Sequence, residues 1–267
     1  MPSASATVGT IATLWRYPVK SMMGEELNAT QILERGLLGD RAYALIDVAT
    51  GKTISAKSPR RWGKLFDCRA AMQTLSQVKM TLPDGTIVFS DAATVEQTLS
   101  NAFGRAVKLE TTAPTAPSIE MYTPDIDELP DHDQMSDADI RPGTFFDAAT
   151  IHLLTTATMN QLQSIAPTSR FETRRFRPNL VIQPANGATG FVENEWVGRT
   201  LAIGDEVKLT IDMPCPRCVM TTMPQGELPN DLEILRTAVK HNEGNIGVYA
   251  SVLHSGTVRR GDVVRLE

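Results

Sequence analysis

Short hydrophobic runs rich in β-branched and aromatic residues recur along the chain between polar turn residues, and those runs predict short β-strands. Residues 8–17 are rich in β-branched and aromatic side chains, and residues 41–48 repeat the pattern after a Gly39-Asp40 turn. Residues 78–82 and 86–90 flank Pro83-Asp84-Gly85, where a fixed φ and a permissive glycine predict a hairpin. Asp91 stands where an N-cap belongs, ahead of a short helix reaching Phe103, and residues 107–112 return to strand.

The character changes between residues 110 and 143. Pro114, Pro117, Pro124, Pro130 and Pro142 interrupt regular structure, and no Lys or Arg occurs from Leu109 to Ile140. Asp125, Asp127, Glu128, Asp131, Asp133, Asp137 and Asp139 repel one another, so the stretch reads as a solvated connector in preference to a substrate-facing lid. Beyond it, residues 151–155 and 179–183 read as buried strands, with a helix over 156–165 between them. Residues 201–203, 207–211, 247–253 and 262–266 read as further strands. Leu232, Leu235 and Val239 fall at helical spacing over 231–240, with Asn230 as the expected N-cap. Strands this short, punctuated by glycine, predict a mainly β fold with minor α (α+β), built from barrels rather than a doubly wound sheet.

Composition changes this picture only by exclusion. With 267 residues, 42% hydrophobic and 21% charged, the chain is ordinary globular protein, sized for one large domain or two modest ones. A net charge of −5 gives no global field for nucleic acid or an anionic membrane, so an anionic ligand must be caught by a local basic cluster. No apolar run is long enough to span a bilayer, and residues 1–8 lack the charged and apolar regions of a signal peptide. Three cysteines make no disulfide framework and suit a reducing interior, with the cytoplasm as the expected location.

Three local features carry candidate chemistry. In Cys215-Pro216-Arg217-Cys218 a guanidinium stands beside a thiol and favours the thiolate, the form that ligates soft metals or attacks electrophiles. Read locally, the motif is open between a zinc site, a redox dithiol, and two inert core thiols. Arg170, Arg174, Arg175 and Arg177 form a basic cluster, and Pro178 fixes the chain as it enters a strand with Asn179. Phosphate capture and a charge-balanced turn are equal readings of that cluster. Lys20 and Ser21 follow a strand end in YPVKS, and Arg41 follows the Gly39-Asp40 turn, where they suit a phosphate or carbonyl oxygen. There is no P-loop and no G-x-G-x-x-G. His132, His152, His241 and His254 read as structural or solvated, with His152 a core residue or a neighbour of the site, and the three tryptophans read as packing residues.

Taken together, YPVKS at 17–21, GDR at 39–41, HLLTTAT at 152–158, FRPN at 176–179, PRCVMTT at 216–222 and VYASVLHSGTVRRGD at 248–262 resemble the MOSC family in its long form. The resemblance implies an N-terminal MOSC β-barrel domain over residues 1–125 and a MOSC domain over 126–267. It implies a molybdenum cofactor between them, with Cys218, the cysteine after the arginine, as metal ligand and catalytic residue. Lys20, Ser21 and Arg41 match cofactor-holding positions of the first part; Thr155, Thr156, Arg177, Asn179, Arg217 and Tyr249 match those of the second. The implied activity is removal of oxygen from a small N-hydroxylated substrate. Electrons would come from a separate ferredoxin-, flavodoxin- or cytochrome b5-like donor, because three cysteines without a C-x4-C-x2-C give no iron–sulfur cluster. A non-catalytic cofactor or sulfur carrier, and a metal-free thiol enzyme using Cys218 with Cys215, are the competing functions.

Overall fold

Seven strands close into a β-barrel in the computed structural model, which describes residues 6–267. The expectation about residues 1–8 rests mainly on residues outside that range. Going round the barrel, Ala6–Arg16 pairs with Leu180–Pro184, then come Ile151–Thr155, Asn245–His254, Val207–Pro216, Thr200–Ile203 and Val263–Leu266, which pairs back with Ala6–Arg16. All neighbours are antiparallel except Ile151–Thr155 with Leu180–Pro184. A parallel pair needs a crossover, and the helix Thr156–Ile165 supplies it. Every residue of Ile151–Thr155 is buried, as expected of a strand covered on both faces.

The barrel interior is filled from its strands: Ile11, Leu14, Leu153, Ile182, Leu209 and Val248 are at most 1% exposed and pack in one cluster. Closure depends on Gly9, where an added Cβ would lie 2.4 Å from the carbonyl oxygen of Gln183. The first strand can approach its partner only without a side chain there.

The first part has shorter strands. Arg69–Thr74, Gln77–Thr81 and Ile87–Phe89 form a meander, with the expected turn and Gly85 at φ +85°, and Ala44–Asp47 pairs with Val107–Glu110. Their core includes Met22, Leu45, Phe66, Met80 and Leu99, and it also takes in Val219 and Met223 from the far end of the chain. The halves of the sequence are interlaced further where Ala29–Leu33 pairs with Gly256–Arg259. The turn after Cys218 is thereby seated between the barrel and the N-terminal core.

Several local expectations shift. The helix Val95–Phe103 starts after Thr94 rather than Asp91, because Asp91 instead accepts two hydrogen bonds from Gln77 Nε2, at 3.0 and 2.9 Å. The acidic connector contains an antiparallel hairpin, Ser118–Thr123 with Gln134–Asp139. Its charge is offset from outside: Lys52 Nζ meets Asp137 at 2.7 Å and Arg61 meets Glu120 at 2.8 Å. The last helix is Glu233–Asn242; Asp231, not Asn230, accepts a hydrogen bond from its first backbone N–H, at 3.0 Å.

Candidate functional site

The segment carrying Lys20 and Ser21 is zipped to the one carrying Arg41. Arg41 N donates to Tyr17 O at 2.8 Å, Lys20 N to Tyr43 O at 2.8 Å, and Tyr17 N to Asp40 Oδ1 at 2.7 Å. Asp40 Oδ2 accepts from the guanidinium of Arg41 and, at 3.0 Å, from Asn179 Nδ2. The Oδ1 of Asn179 in turn accepts from His152 N at 3.1 Å. One buried chain of hydrogen bonds therefore ties the N-terminal loops to the barrel wall.

Above this tie lies a narrow cleft of about 120 Å³. Lys20, Ser21, Arg41, Arg177, Asn179, Arg217, Cys218 and Tyr249 all line it. Ser21, Arg41 and Arg177 have φ of +66°, +47° and +55°, left-handed conformations that side chains adopt at a cost of about 1–3 kcal/mol each. Arg177 takes its conformation as the left-handed cap that ends the short helix Thr173–Phe176. Ser21 Oγ accepts from Ala56 N at 3.0 Å.

The electrostatics are lopsided. Six cationic residues, Lys20, Arg41, Lys57, Arg175, Arg177 and Arg217, line the cleft against one carboxylate, Asp147. The guanidinium carbons of Arg41 and Arg177 lie 4.6 and 4.2 Å from the ring centre of Tyr17, and Arg177 Nη1 donates to Met22 O at 2.7 Å. Burial, with Arg41 nearby, brings Arg177 down to about 10. Burial also lowers the pKa of Lys20, although its Nζ pairs with Asp147 and donates to Phe145 O at 2.8 Å. Lys57 Nζ meets the other oxygen of Asp147 at 2.9 Å. Burial opposes its charge, but Asp147 and Cys218 outweigh burial and hold the Lys57 ammonium above its usual range. Asp147 loses solvation, yet Lys20 and Lys57 together hold its carboxyl well below the carboxylate range.

At the other end, Cys218 opens a single 3-10 turn, Val219–Thr221, and is the one of the three cysteines that is not buried. Arg217 is fixed by Nη2 donating to Phe176 O at 2.7 Å and by its own N donating to Gly244 O at 2.8 Å. Its Nε is buried without a partner. His152 lies edge-on to Tyr249 at 5.9 Å.

Thr155 and Thr156 do not join the group. Thr155 caps the crossover helix, accepting from Thr158 N at 3.1 Å, and donates to Glu193 at 2.7 Å; Thr156 donates to Gln183 at 3.0 Å. The stretch facing the cleft is instead 145–149, which precedes the strand Ile151–Thr155 and brings one polar side chain, Asp147. Lys57 and Asp147 are lining residues that the sequence did not single out; Arg175 of the basic cluster and His152, read as a core residue or a neighbour of the site, line it as well. Lys57 and Asp147 show no local motif, since their meaning lies in a pairing across some ninety residues of chain.

The cleft is built from two stretches that match known family models. The MOSC N-terminal beta barrel domain matches residues 8–129, and the MOSC domain matches residues 141–265. The chain belongs to the MOSC family. The first MOSC stretch supplies Lys20, Ser21, Arg41 and Lys57, and the second supplies Asp147, Arg177, Arg217 and Cys218. The chain is 25% identical to mitochondrial amidoxime-reducing component 1 of Mus musculus, over 97% of this chain and 82% of that protein. It is 27% identical to the Homo sapiens protein of the same name, over 97% and 83%. The YuaD protein from Bacillus subtilis shares the fold, with a TM-score of 0.50 at 11% identity, covering 97% of this chain and 95% of that one.

Proposed function

We propose that this MOSC protein is a molybdenum-cofactor-dependent oxidoreductase that removes oxygen from small N-hydroxylated compounds, with electrons from a separate redox protein. The observation that carries the reading is the accessible thiol of Cys218 at one end of a cleft with six cationic lining residues and one carboxylate. A soft donor suits a thiophilic metal, and the cationic excess suits a ligand with a phosphate tail. The unpartnered Arg217 Nε is a further donor awaiting an acceptor. The residues present fit the group.

Cys218 would ligate the metal. Lys20, Lys57, Arg41 and Arg177 would hold the anionic tail, with Ser21 and Tyr249 beside them. Asn179 has its amide engaged with Asp40, Trp15 and His152, so it orients the cleft walls rather than pairing with a ring edge. When bound, the cofactor supplies two-electron chemistry at the metal. The protein's own part is to neutralise the tail, exclude water and hold the thiol in place.

The names of the mouse and human relatives support the choice of substrate class, and a ferredoxin-, flavodoxin- or cytochrome b5-like protein fits as electron donor. No helix among the described residues is long and apolar enough to cross a membrane, and three free thiols suit the reducing cytoplasm. The thiol-enzyme reading loses support because Cys215 is fully buried and burial pushes its thiol up. The test is reduction of benzamidoxime by metal-loaded protein with a chemical reductant. Turnover is expected; a fully loaded protein without turnover would assign the chain to cofactor carriage instead.

A further inference from the structure

The four arginines of the 170–177 cluster divide by direction. Arg170 and Arg174 face the carboxylates of Glu172 and Glu227 near the surface. Arg175 turns inward, is 0% exposed, and is the bulkiest fully buried side chain among the described residues. A guanidinium taken out of water is costly unless its donors are met, and none of the ion pairs among the described residues involves Arg175.

Backbone carbonyls meet them instead. Nε donates to Arg170 O at 2.9 Å, Nη1 to Thr221 O and Met223 O at 3.1 Å each, and Nη2 to Pro229 O at 2.9 Å. Thr221 ends the turn that opens at Cys218, and Met223 follows two residues later. The traffic also runs the other way, since Arg217 donates to Phe176 O at 2.7 Å. Each of the two segments thus sends a guanidinium into the backbone of the other. Arg177 follows on the same short helical turn and reaches across to Met22. A planar fork can satisfy carbonyls in three directions at once, whereas a lysine amine at the same place reaches fewer and holds none of them in a plane.

We propose that Arg175 is a positioning residue: with Arg217 it clamps the 218–223 turn to the 175–177 turn and so sets the Cys218 thiol relative to Arg177. The importance of that setting rests on Cys218 being the metal ligand, but the clamp itself is read without any metal. The experiment follows alkylation of each cysteine by iodoacetamide, resolved by peptide mass spectrometry, in purified full-length protein. Wild type is compared with Arg175→Lys, Arg175→Met and the surface control Arg174→Met, and each is also analysed for molybdenum after expression in a cofactor-competent host.

Local release of the turn predicts Cys218 alkylation about fivefold faster in Arg175→Met and about twofold to threefold faster in Arg175→Lys, with Arg174→Met unchanged. Cys68 and Cys215 should stay protected, and molybdenum content should fall in the same order. If Arg175→Met does not accumulate, Arg175→Lys carries the comparison. Unchanged Cys218 rates would overturn the clamp. Alkylation of Cys68 and Cys215 in step with Cys218 would overturn it too, by showing general loosening. A wild type without molybdenum, alongside the expected thiol ranking, would sink the cofactor reading and leave the clamp standing.

Discussion

The guanidinium of Arg217 donates from Nη1 to the sulfur of Cys215 at 2.6 Å. The two cysteines of the motif therefore have different work: Cys215 braces the arginine from the barrel wall, and Cys218 faces the cleft. Cys215→Ser keeps an acceptor and should leave the cleft intact. Cys215→Ala leaves both Nη1 and the already unpartnered Nε buried without acceptors, at a cost of about 1–3 kcal/mol. Urea unfolding of the two variants checks this, and equal stability of Cys215→Ser and Cys215→Ala would refute it.

Asp147 lies between Lys20 and Lys57 and offsets the charge that an anionic ligand would otherwise meet. Asp147→Asn should raise the affinity for inorganic phosphate by about tenfold, the order of one charge interaction at a partly screened site. The same change should lower stability, because two buried ammonium groups then face each other. Titration calorimetry with phosphate decides it; weaker or unchanged binding would show that Asp147 does not compete with anions.

His152 is buried, with Nε2 at 3.2 Å from Ile246 O, and burial together with Arg217 keeps its pKa well below the usual 6.5. The folded protein holds it neutral while the unfolded chain takes up a proton near its ordinary pKa. Its contribution to stability is thus complete above pH about 6.5 and is lost as the pH falls, by at most about 1.4 kcal/mol per unit. Urea midpoints between pH 7.5 and 5, ranges bracketing that pKa, should fall with acid in the wild type and fall less in His152→Gln. Parallel curves would contradict the assignment.

How much was legible in the chain depended on the range of the interaction. Strand positions followed from β-branched and aromatic runs between turn residues, because side chains such as Ile11 and Val248 answer to one barrel interior. The cationic anchors Lys20, Arg41 and Arg177 stood out through short motifs and do converge. The threonines of HLLTTAT lie outside the cleft lining, and a hydroxyl that caps a helix, as Thr155 does, looks the same in sequence as one that faces a ligand. The hairpin at 118–139 was hidden because its countercharges, Lys52 and Arg61, lie far away in the chain. Lys57 and Asp147 were invisible for the same reason.

Gly247 shows how closely the barrel hugs the site. It sits at φ +78°, and an added Cβ would lie 2.4 Å from Leu153 O and 2.5 Å from His152 Nε2. Gly247→Ala should cost at least about 2 kcal/mol from backbone strain and overlap together. It should also displace His152 from its edge-on contact with Tyr249. A thermal-unfolding comparison with wild type tests the cost, and an unchanged midpoint would show that the barrel yields freely there.

The central claim is that the thiol of Cys218 completes a molybdenum site. Metal and pterin analysis of wild type and Cys218→Ala, purified from a host that makes the cofactor, tests it most directly. The account predicts molybdenum and pterin together in the wild type and loss of the metal in Cys218→Ala with the fold retained. Wild-type protein without molybdenum or pterin, or a Cys218→Ala variant that keeps both in full, would contradict it.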